Sequence, residues 1–98
     1  MRALIVPDID GDPGGEPGAI EFRAMYRTGE IAGLGFRCPC GCGREGYLPF
    51  AGIERDVPGA PEWEWDGNQL TPTLSPSVLQ VGGCRWHGWL RNGEWEVA

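Results

Sequence analysis

The 98-residue sequence contains no lysine, and all eight of its basic residues are arginine. A chain without lysine escapes modification of lysine side chains, although the codon usage of a GC-rich genome would produce the same composition. Fourteen acidic residues give a net charge of −6, which argues against a general nucleic-acid-binding protein. We therefore expect protein or peptide partners and no nucleic acid.

A long hydrophobic run is also missing. No stretch approaches the length needed to span a bilayer, and the apolar part of residues 1–7 is too short for a signal peptide. We therefore expect a cytoplasmic protein that does not contact a membrane. Thiols stay reduced in that compartment, so the cysteines are expected to bind metal rather than to form disulfides.

Long amphipathic helices and internal repeats are absent from the sequence, whereas glycine and proline are abundant, at 17 and 9 residues. Five tryptophans and many aliphatic residues nevertheless indicate a folded chain rather than a disordered one. Short strand-like stretches between turn residues predict a mostly β fold, with a small α+β fold as the alternative. We expect one domain over 1–98, a compact antiparallel sheet or partial barrel of short hairpins, with a loop-rich segment at 1–19.

Several strands and two tight turns can be assigned from composition. Asp66-Gly67 predicts a hairpin between residues 62–65 and 69–74, and Asn92-Gly93 predicts a second hairpin near the end of the chain. Residues 20–26 suit either a strand or a short helical turn. Further strands are predicted at 2–6, 34–38, 46–50, 77–81 and 86–90.

Soft metal ligands fall into two short clusters. Cys38, Cys40 and Cys42 lie within five residues of one another. Cys84 follows far downstream, and His87, the single histidine, comes three residues after it. Zinc prefers four such ligands in a tetrahedron, and its binding adds to the folding free energy of a chain too small to rely on burial alone. We therefore predict one zinc ion that joins the two clusters.

These five candidate ligands compete for four positions. In one solution, two cysteines of the 38–42 knuckle join Cys84 and His87. In the other, all four cysteines bind the metal and His87 is free. The Cys-x-Cys-x-Cys spacing leaves both solutions open. A thiolate-rich zinc site is usually structural, since hydrolytic zinc sites mostly use histidine and carboxylate ligands with an open water position.

A second unusual segment, residues 71–77, reads Thr-Pro-Thr-Leu-Ser-Pro-Ser. Hydroxyl groups in such segments commonly cap backbone groups of turns. The alternative is that Ser77 or Ser75 is a nucleophile and His87 its general base. A three-residue turn at 82–84 would place Ser77 and His87 on the same sheet face, whereas a two-residue turn would separate them.

The nucleophile hypothesis depends on the metal. A zinc-bound imidazole is a poor base, so the hypothesis requires the solution in which only the four cysteines are ligands. Asp66 or Glu94 is then the candidate carboxylate that would orient His87.

Several separated motifs resemble a zinc-binding family of small bacterial and phage proteins of unknown function. The motifs are CPCGCG at 38–43, WDG at 65–67, PTLSPS at 72–77, GCRxH at 83–87 and RNG at 91–93. The resemblance covers a core over about residues 20–97. It implies a metal site built from the cysteine knuckle with Cys84 and His87, and a role for Ser75 and Ser77 beyond the turn.

Some members of that family are encoded beside ubiquitin-like proteins and their E1-like and E2-like enzymes. The resemblance implies that such members are peptidases that trim or remove the ubiquitin-like tail. In one respect this chain departs from the family, which commonly has an aromatic residue directly after the histidine. Here that position is Gly88, so either Trp89 fills the space or a pocket is open there.

Three functions remain open at this point. The first is a zinc-containing peptidase that processes or removes the C-terminal tail of a ubiquitin-like protein in a bacterial or phage defence-related pathway. The second is a non-catalytic, zinc-stabilised module that binds a protein partner. The third is a regulator that binds its partner through the acidic segment 8–16. The residues alone favour the binding module, and the resemblance moves the peptidase to first place.

Overall fold

The computed structural model describes residues 1–11, 14–53, 61–80 and 84–98. Those residues form nine short β-strands and no helix, so the prediction of a mostly β fold is confirmed and the α+β alternative is not needed. No helix of the described residues is therefore long and apolar enough to cross a membrane. The strands form three small sheets rather than a closed barrel.

The largest sheet has four strands, in the order β1, β2, β3, β4. The pairs β2/β3 and β3/β4 are antiparallel as predicted, whereas β1 runs parallel to β2. Arg37 and Glu45 are the last pair of β3 and β4, so the intervening loop carries three of the four cysteines. The bounds are β1 Leu4–Ile5, β2 Ala19–Ala24, β3 Ile31–Arg37 and β4 Glu45–Pro49.

The other two sheets come from the C-terminal third of the chain. β5 and β6 form a two-stranded ribbon, and β7, β8 and β9 form a three-stranded antiparallel sheet in that order. The Ser75 to Pro76 peptide bond between β6 and β7 is cis. The bounds are β5 Glu64–Trp65, β6 Leu74–Ser75, β7 Val78–Leu79, β8 His87–Arg91 and β9 Glu94–Val97.

One apolar core joins the three sheets. Phe36 of β3, Leu74 of β6 and Leu90 of β8 are each at most 2% exposed and belong to the same cluster. Trp95 of β9 packs against Phe36 with ring centroids 5.3 Å apart, and its indole N–H donates to the carbonyl of Gly18 at 2.9 Å. The small sheets therefore stabilise one another through side chains rather than through continuous strand pairing.

Parts of the N-terminal segment pack against the rest of the protein. Val6 and Ile9 are buried with Ala19, and β1 pairs with the start of β2. The amide of Ala3 also donates to the carbonyl of Gly93 at 2.8 Å, which ties the beginning of the chain to the β8/β9 hairpin.

The two predicted turns have different outcomes. Asn92 and Gly93 have φ values of 51° and 75°, so the predicted Asn-Gly hairpin between β8 and β9 is confirmed. The hairpin predicted between residues 62–65 and 69–74 is formed, since Trp65 pairs with Leu74. Its turn is not the predicted two-residue turn at Asp66-Gly67, because residues 66–73 form a longer loop between β5 and β6. Side chains stabilise that loop, since Asp66 Oδ1 accepts from the amide of Asn68 and Asn68 Oδ1 accepts from the amide of Leu70.

Gly88 lies where a side chain has no room. A Cβ at this position would collide with the carbonyl oxygen of Glu96 and would come 2.6 Å from the indole ring of Trp86. The open pocket considered from the sequence is therefore absent at Gly88. Trp86, rather than Trp89, fills the space, because Trp89 lies on the opposite sheet face, which also carries His87.

Replacing Gly88 with alanine is expected to lower the free energy of unfolding by about 3 kcal/mol, because strand β9 or the ring of Trp86 must move. Gly15→Ala is the matched control, since a Cβ at Gly15 meets nothing within 4 Å. The control should change stability by less than about 1 kcal/mol. Urea denaturation measures both, and equal effects of the two substitutions would contradict the packing described for Gly88.

Candidate functional site

The loop between β3 and β4 is a cysteine knuckle. The amide of Cys38 donates to the carbonyl of Arg44 at 2.8 Å, and the amide of Gly41 donates to the carbonyl of Cys38 at 3.1 Å. Gly41 and Gly43 have φ values of 91° and 83°, which disfavour residues with a side chain. These turns direct three cysteine side chains toward one point.

Cys84 completes a compact group of four thiols. The sulfur atom of Cys38 lies 3.3 Å from those of Cys40 and Cys84, and the sulfur atom of Cys42 lies 3.6 Å from that of Cys84. All four sulfur atoms lie within 4.8 Å of one another. Disulfide sulfurs are about 2.05 Å apart, whereas four sulfurs around one zinc ion are about 3.8 Å apart. The group therefore fits a tetrahedral metal better than a disulfide.

The protonation of the thiols also favours a cation. Burial raises the pKa of the Cys38 thiol, and a hydrogen bond with Cys84 raises the pKa of Cys40. Hydrogen bonds from Cys40 and Cys38 lower the pKa of Cys84 to about 7. Without a metal, these shifts favour the thiol form of Cys38 and Cys40 and the thiolate form of Cys84. Four thiolates at these distances need a soft cation, and thiolate ligands suit zinc.

Arg37 supports the knuckle from the side of the N-terminal segment. Its Nη1 donates to the carbonyl of Gly43 at 3.2 Å, and its Nη2 donates to the carbonyl of Ile9 at 3.0 Å. Asp10 and Glu45 pair with the same guanidinium at 3.3 and 3.6 Å. The position of Arg37 directly before Cys38 does not reveal this structural role, because its partners Ile9 and Asp10 are distant in the sequence.

Ser77 and His87 meet on the β7/β8 sheet. Val78 pairs with Gly88 and Leu79 pairs with His87, which is the register expected for a three-residue turn, although most of that turn lies outside the described residues. Ser77 and His87 are then diagonal neighbours on one face. Ser77 Oγ lies 2.9 Å from His87 Nε2, and the imidazole is exposed.

The remaining candidates lie apart from this contact. Ser75 is exposed and pairs with Glu64 of β5, and it makes no hydrogen bond to His87 in the described residues. Asp66 Oδ1 accepts from the amides of two loop residues, one of which is Thr73 at 3.3 Å. Glu94 pairs with Arg91 at the opposite end of β8.

An aromatic stack continues along β8 from the histidine. The rings of His87 and Trp89 have centroids 6.2 Å apart, and the guanidinium of Arg91 lies 4.5 Å from the centroid of Trp89. Glu96 of β9 contacts Arg91 at 3.5 Å. Residues 87, 89 and 91 alternate along a strand and therefore lie on one face. The assignment of β8 from the sequence is thus enough to predict this stack.

The metal cluster and the Ser77 contact share one segment. Cys84 belongs to the thiol group, and only Arg85 and Trp86 separate it from His87, the first residue of β8. Arg85 has a φ of 55°, and Trp86 is buried under the sheet. The four cysteines are therefore grouped without His87, whose Nε2 faces Ser77.

A serine hydroxyl in contact with an exposed imidazole is an arrangement that serine hydrolases use to activate their nucleophile. The family described as "Bacterial ubiquitination-like system serine protease (BubE)" matches residues 14–98. The chain belongs to this family, which confirms the resemblance and supports a protease role, with protein partners, in that system. The match begins a few residues before the predicted core. No curated protein and no solved structure matches the chain.

Proposed function

We propose that Ser77 and His87 are the catalytic pair of a peptidase that cleaves the C-terminal tail of a ubiquitin-like protein. The observation that carries the proposal is the 2.9 Å separation of Ser77 Oγ and His87 Nε2. General bases in this class lie within about 2.6–3.2 Å of the hydroxyl that they deprotonate. The exposed imidazole supports access by a macromolecular substrate.

The chemistry assigned to the pair is that of a serine peptidase. With the proton on Nδ1, His87 Nε2 accepts the Ser77 proton as Oγ attacks the carbonyl carbon of the scissile bond. The resulting imidazolium then donates this proton to the leaving amine, and an acyl-enzyme forms on Ser77. Water, deprotonated by the same imidazole, releases the acyl group and restores the serine.

The four cysteines are proposed to hold a zinc ion with a structural role. Cys38, Cys40, Cys42 and Cys84 supply four thiolates, so no ligand position is left for a reacting water. Zinc bound there supplies folding free energy and fixes the knuckle relative to the start of β8. The chain's reduced thiols agree with a cytoplasmic protein, which is likewise part of the proposal.

Cleavage of a defined protein tests the substrate. The purified protein is incubated with a ubiquitin-like protein encoded in the same conjugation system and carrying residues beyond its mature C-terminus. Intact mass spectrometry should detect loss of the extension at a single bond, and a fluorophosphonate should label Ser77. A protein that labels at Ser77 but releases no residues from the tail would leave a serine hydrolase with a different substrate.

For Asp66 we favour a role in the 66–73 loop over the orientation of His87 that the sequence suggested. Its observed contacts are to backbone amides of the 66–73 loop, which an asparagine could also make through its Oδ1. We therefore expect Asp66→Asn to keep kcat within about threefold and Asp66→Ala to lower the free energy of unfolding by about 1 kcal/mol. A fall of about 10²-fold or more in kcat for Asp66→Asn, with unchanged stability, would instead assign the orienting role to the carboxylate.

A further inference from the structure

We propose that the outer edge of β7 binds the substrate by strand addition, so that an extended segment of the substrate pairs with Leu79 beside the bond that Ser77 attacks. The inference rests on the proposed function, because it assigns the place of the peptide that the Ser77 and His87 pair would cleave.

The hydrogen-bond pattern of the sheet determines which backbone groups of β7 face outward. The amide of Gln80 donates to the carbonyl of Trp86 on β8 at 2.8 Å. In an antiparallel pair, residues that bond to the partner strand alternate with residues that do not. The N–H and C=O groups of Leu79 therefore point away from β8.

Ser77 follows the same alternation. Its carbonyl accepts the indole N–H of Trp63 at 3.2 Å, so this carbonyl faces the outer side of β7 and not β8. The backbone groups of Ser77 and Leu79 thus face the same outer side, two residues apart, and because the Ser77 carbonyl is bonded to Trp63, Leu79 is the open position. Their side chains also share the sheet face that carries His87.

Leu79 has the features of an open edge. In the part of the chain that the structure describes, β8 is the only strand paired with β7, and the N–H and C=O of Leu79 have no partner. Its side chain is 50% exposed, between Val78 and Gln80, which are 1% and 8% exposed. Unpaired edge groups of this kind are a template for an additional strand.

The position of Ser77 indicates that the strand added to β7 is the substrate segment next to the scissile bond. A strand added to β7 lies about 4.8 Å away, and its residues two positions apart are separated by about 7 Å along the edge. When one residue of the substrate pairs with Leu79, the peptide bond two residues further along the substrate therefore lies beside Ser77. The paired residue would lie on the His87 face against the exposed Leu79 side chain, which favours an apolar substrate side chain there.

Leu79→Pro tests the edge directly, because proline removes only the N–H that points outward and is tolerated on edge strands. For a peptide that spans the cleavage site of the ubiquitin-like protein, kcat/KM should fall about 10-fold, as expected for one hydrogen bond. The rate of Ser77 labelling by a small fluorophosphonate should stay unchanged. Leu79→Ala, the matched control, keeps the N–H and measures the side chain alone.

A second measurement leaves the protein unaltered. The same peptide is N-methylated at one residue at a time, and kcat/KM should fall at the residue that pairs with Leu79 and much less at its two neighbours. This scan decides the question if Leu79→Pro fails to fold.

The outcomes separate the two proposals. Absence of labelling in the wild-type protein contradicts the proposed function. Normal labelling with equal cleavage by wild type and Leu79→Pro overturns only the edge proposal, as does an N-methyl scan without position dependence. Dimerisation through this edge that Leu79→Pro abolishes, without a change in kcat/KM, also overturns it.

Discussion

Replacing Ser77 with alanine is expected to lower kcat/KM for tail cleavage by at least about 10⁴-fold, because the attacking oxygen is removed and the imidazole has nothing to deprotonate. Ser77 is half-buried, and no described side chain other than that of His87 makes a hydrogen bond to its hydroxyl. The substitution should therefore change the free energy of unfolding by less than about 1.5 kcal/mol. Cleavage is measured by intact mass spectrometry and stability by thermal denaturation.

Ser75→Ala is the matched control for this substitution. Both serines come from the same Pro-containing segment, but only the hydroxyl of Ser77 contacts His87. The control should cleave within about threefold of the wild-type rate. Full activity of Ser77→Ala, or an equal loss in both variants, would contradict a nucleophilic Ser77. Either result would favour the non-catalytic binding module over the peptidase.

Removing the proposed zinc ion is expected to unfold the protein. A structural zinc ion contributes about 10–16 kcal/mol of apparent binding free energy, which equals or exceeds the total stability of about 5–15 kcal/mol of a typical domain. A strong chelator should abolish near-UV circular dichroism and the dispersion of amide resonances, and added zinc should restore both. Labelling of Ser77 by a fluorophosphonate should be lost and recovered in parallel.

The Ser77→Ala variant, in the metal-bound state, is the control for this experiment, since it removes the nucleophile and keeps all four thiols. A chelated protein with native resonances and full cleavage activity would contradict the structural role of the metal. Metal analysis of the purified protein, by mass spectrometry under native conditions, identifies the ion and counts it.

Local patterns in the sequence predicted the strands well. The Asn92-Gly93 turn predicted the hairpin of β8 and β9, because a tight turn with two positive φ values restricts the residues that can occupy it. Asp66-Gly67 carries the same signal and does not make that turn. There the side chains of Asp66 and Asn68 accept hydrogen bonds from amides of a longer loop. Composition alone does not predict whether these side-chain bonds or the tight turn will be the more stable.

The sequence identified the residues of the candidate site but left open which of them group around a metal and which serine contacts His87. Spacing identified the five possible ligands, but the group of four that comes together depends on how the knuckle and the start of β8 pack. The contact between Ser77 and His87 depends on strand register, which a single residue in the turn would reverse. Support of the knuckle by Arg37 depends on contacts with Ile9 and Asp10, 28 and 27 residues away, which no local pattern encodes.

Because only two residues separate Cys84 from His87, the thiol group limits how far this protein could be shortened. Cys84, at one end of this short segment, belongs to the thiol group, and His87, at the other end, begins β8. The thiol group is completed by the loop between β3 and β4, which belong to a different sheet. A shortened protein that keeps the proposed pair of Ser77 and His87 in place must therefore contain the β3/β4 hairpin as well as β7 and β8. The proposed chemistry could not be moved to another scaffold as a serine and a histidine alone.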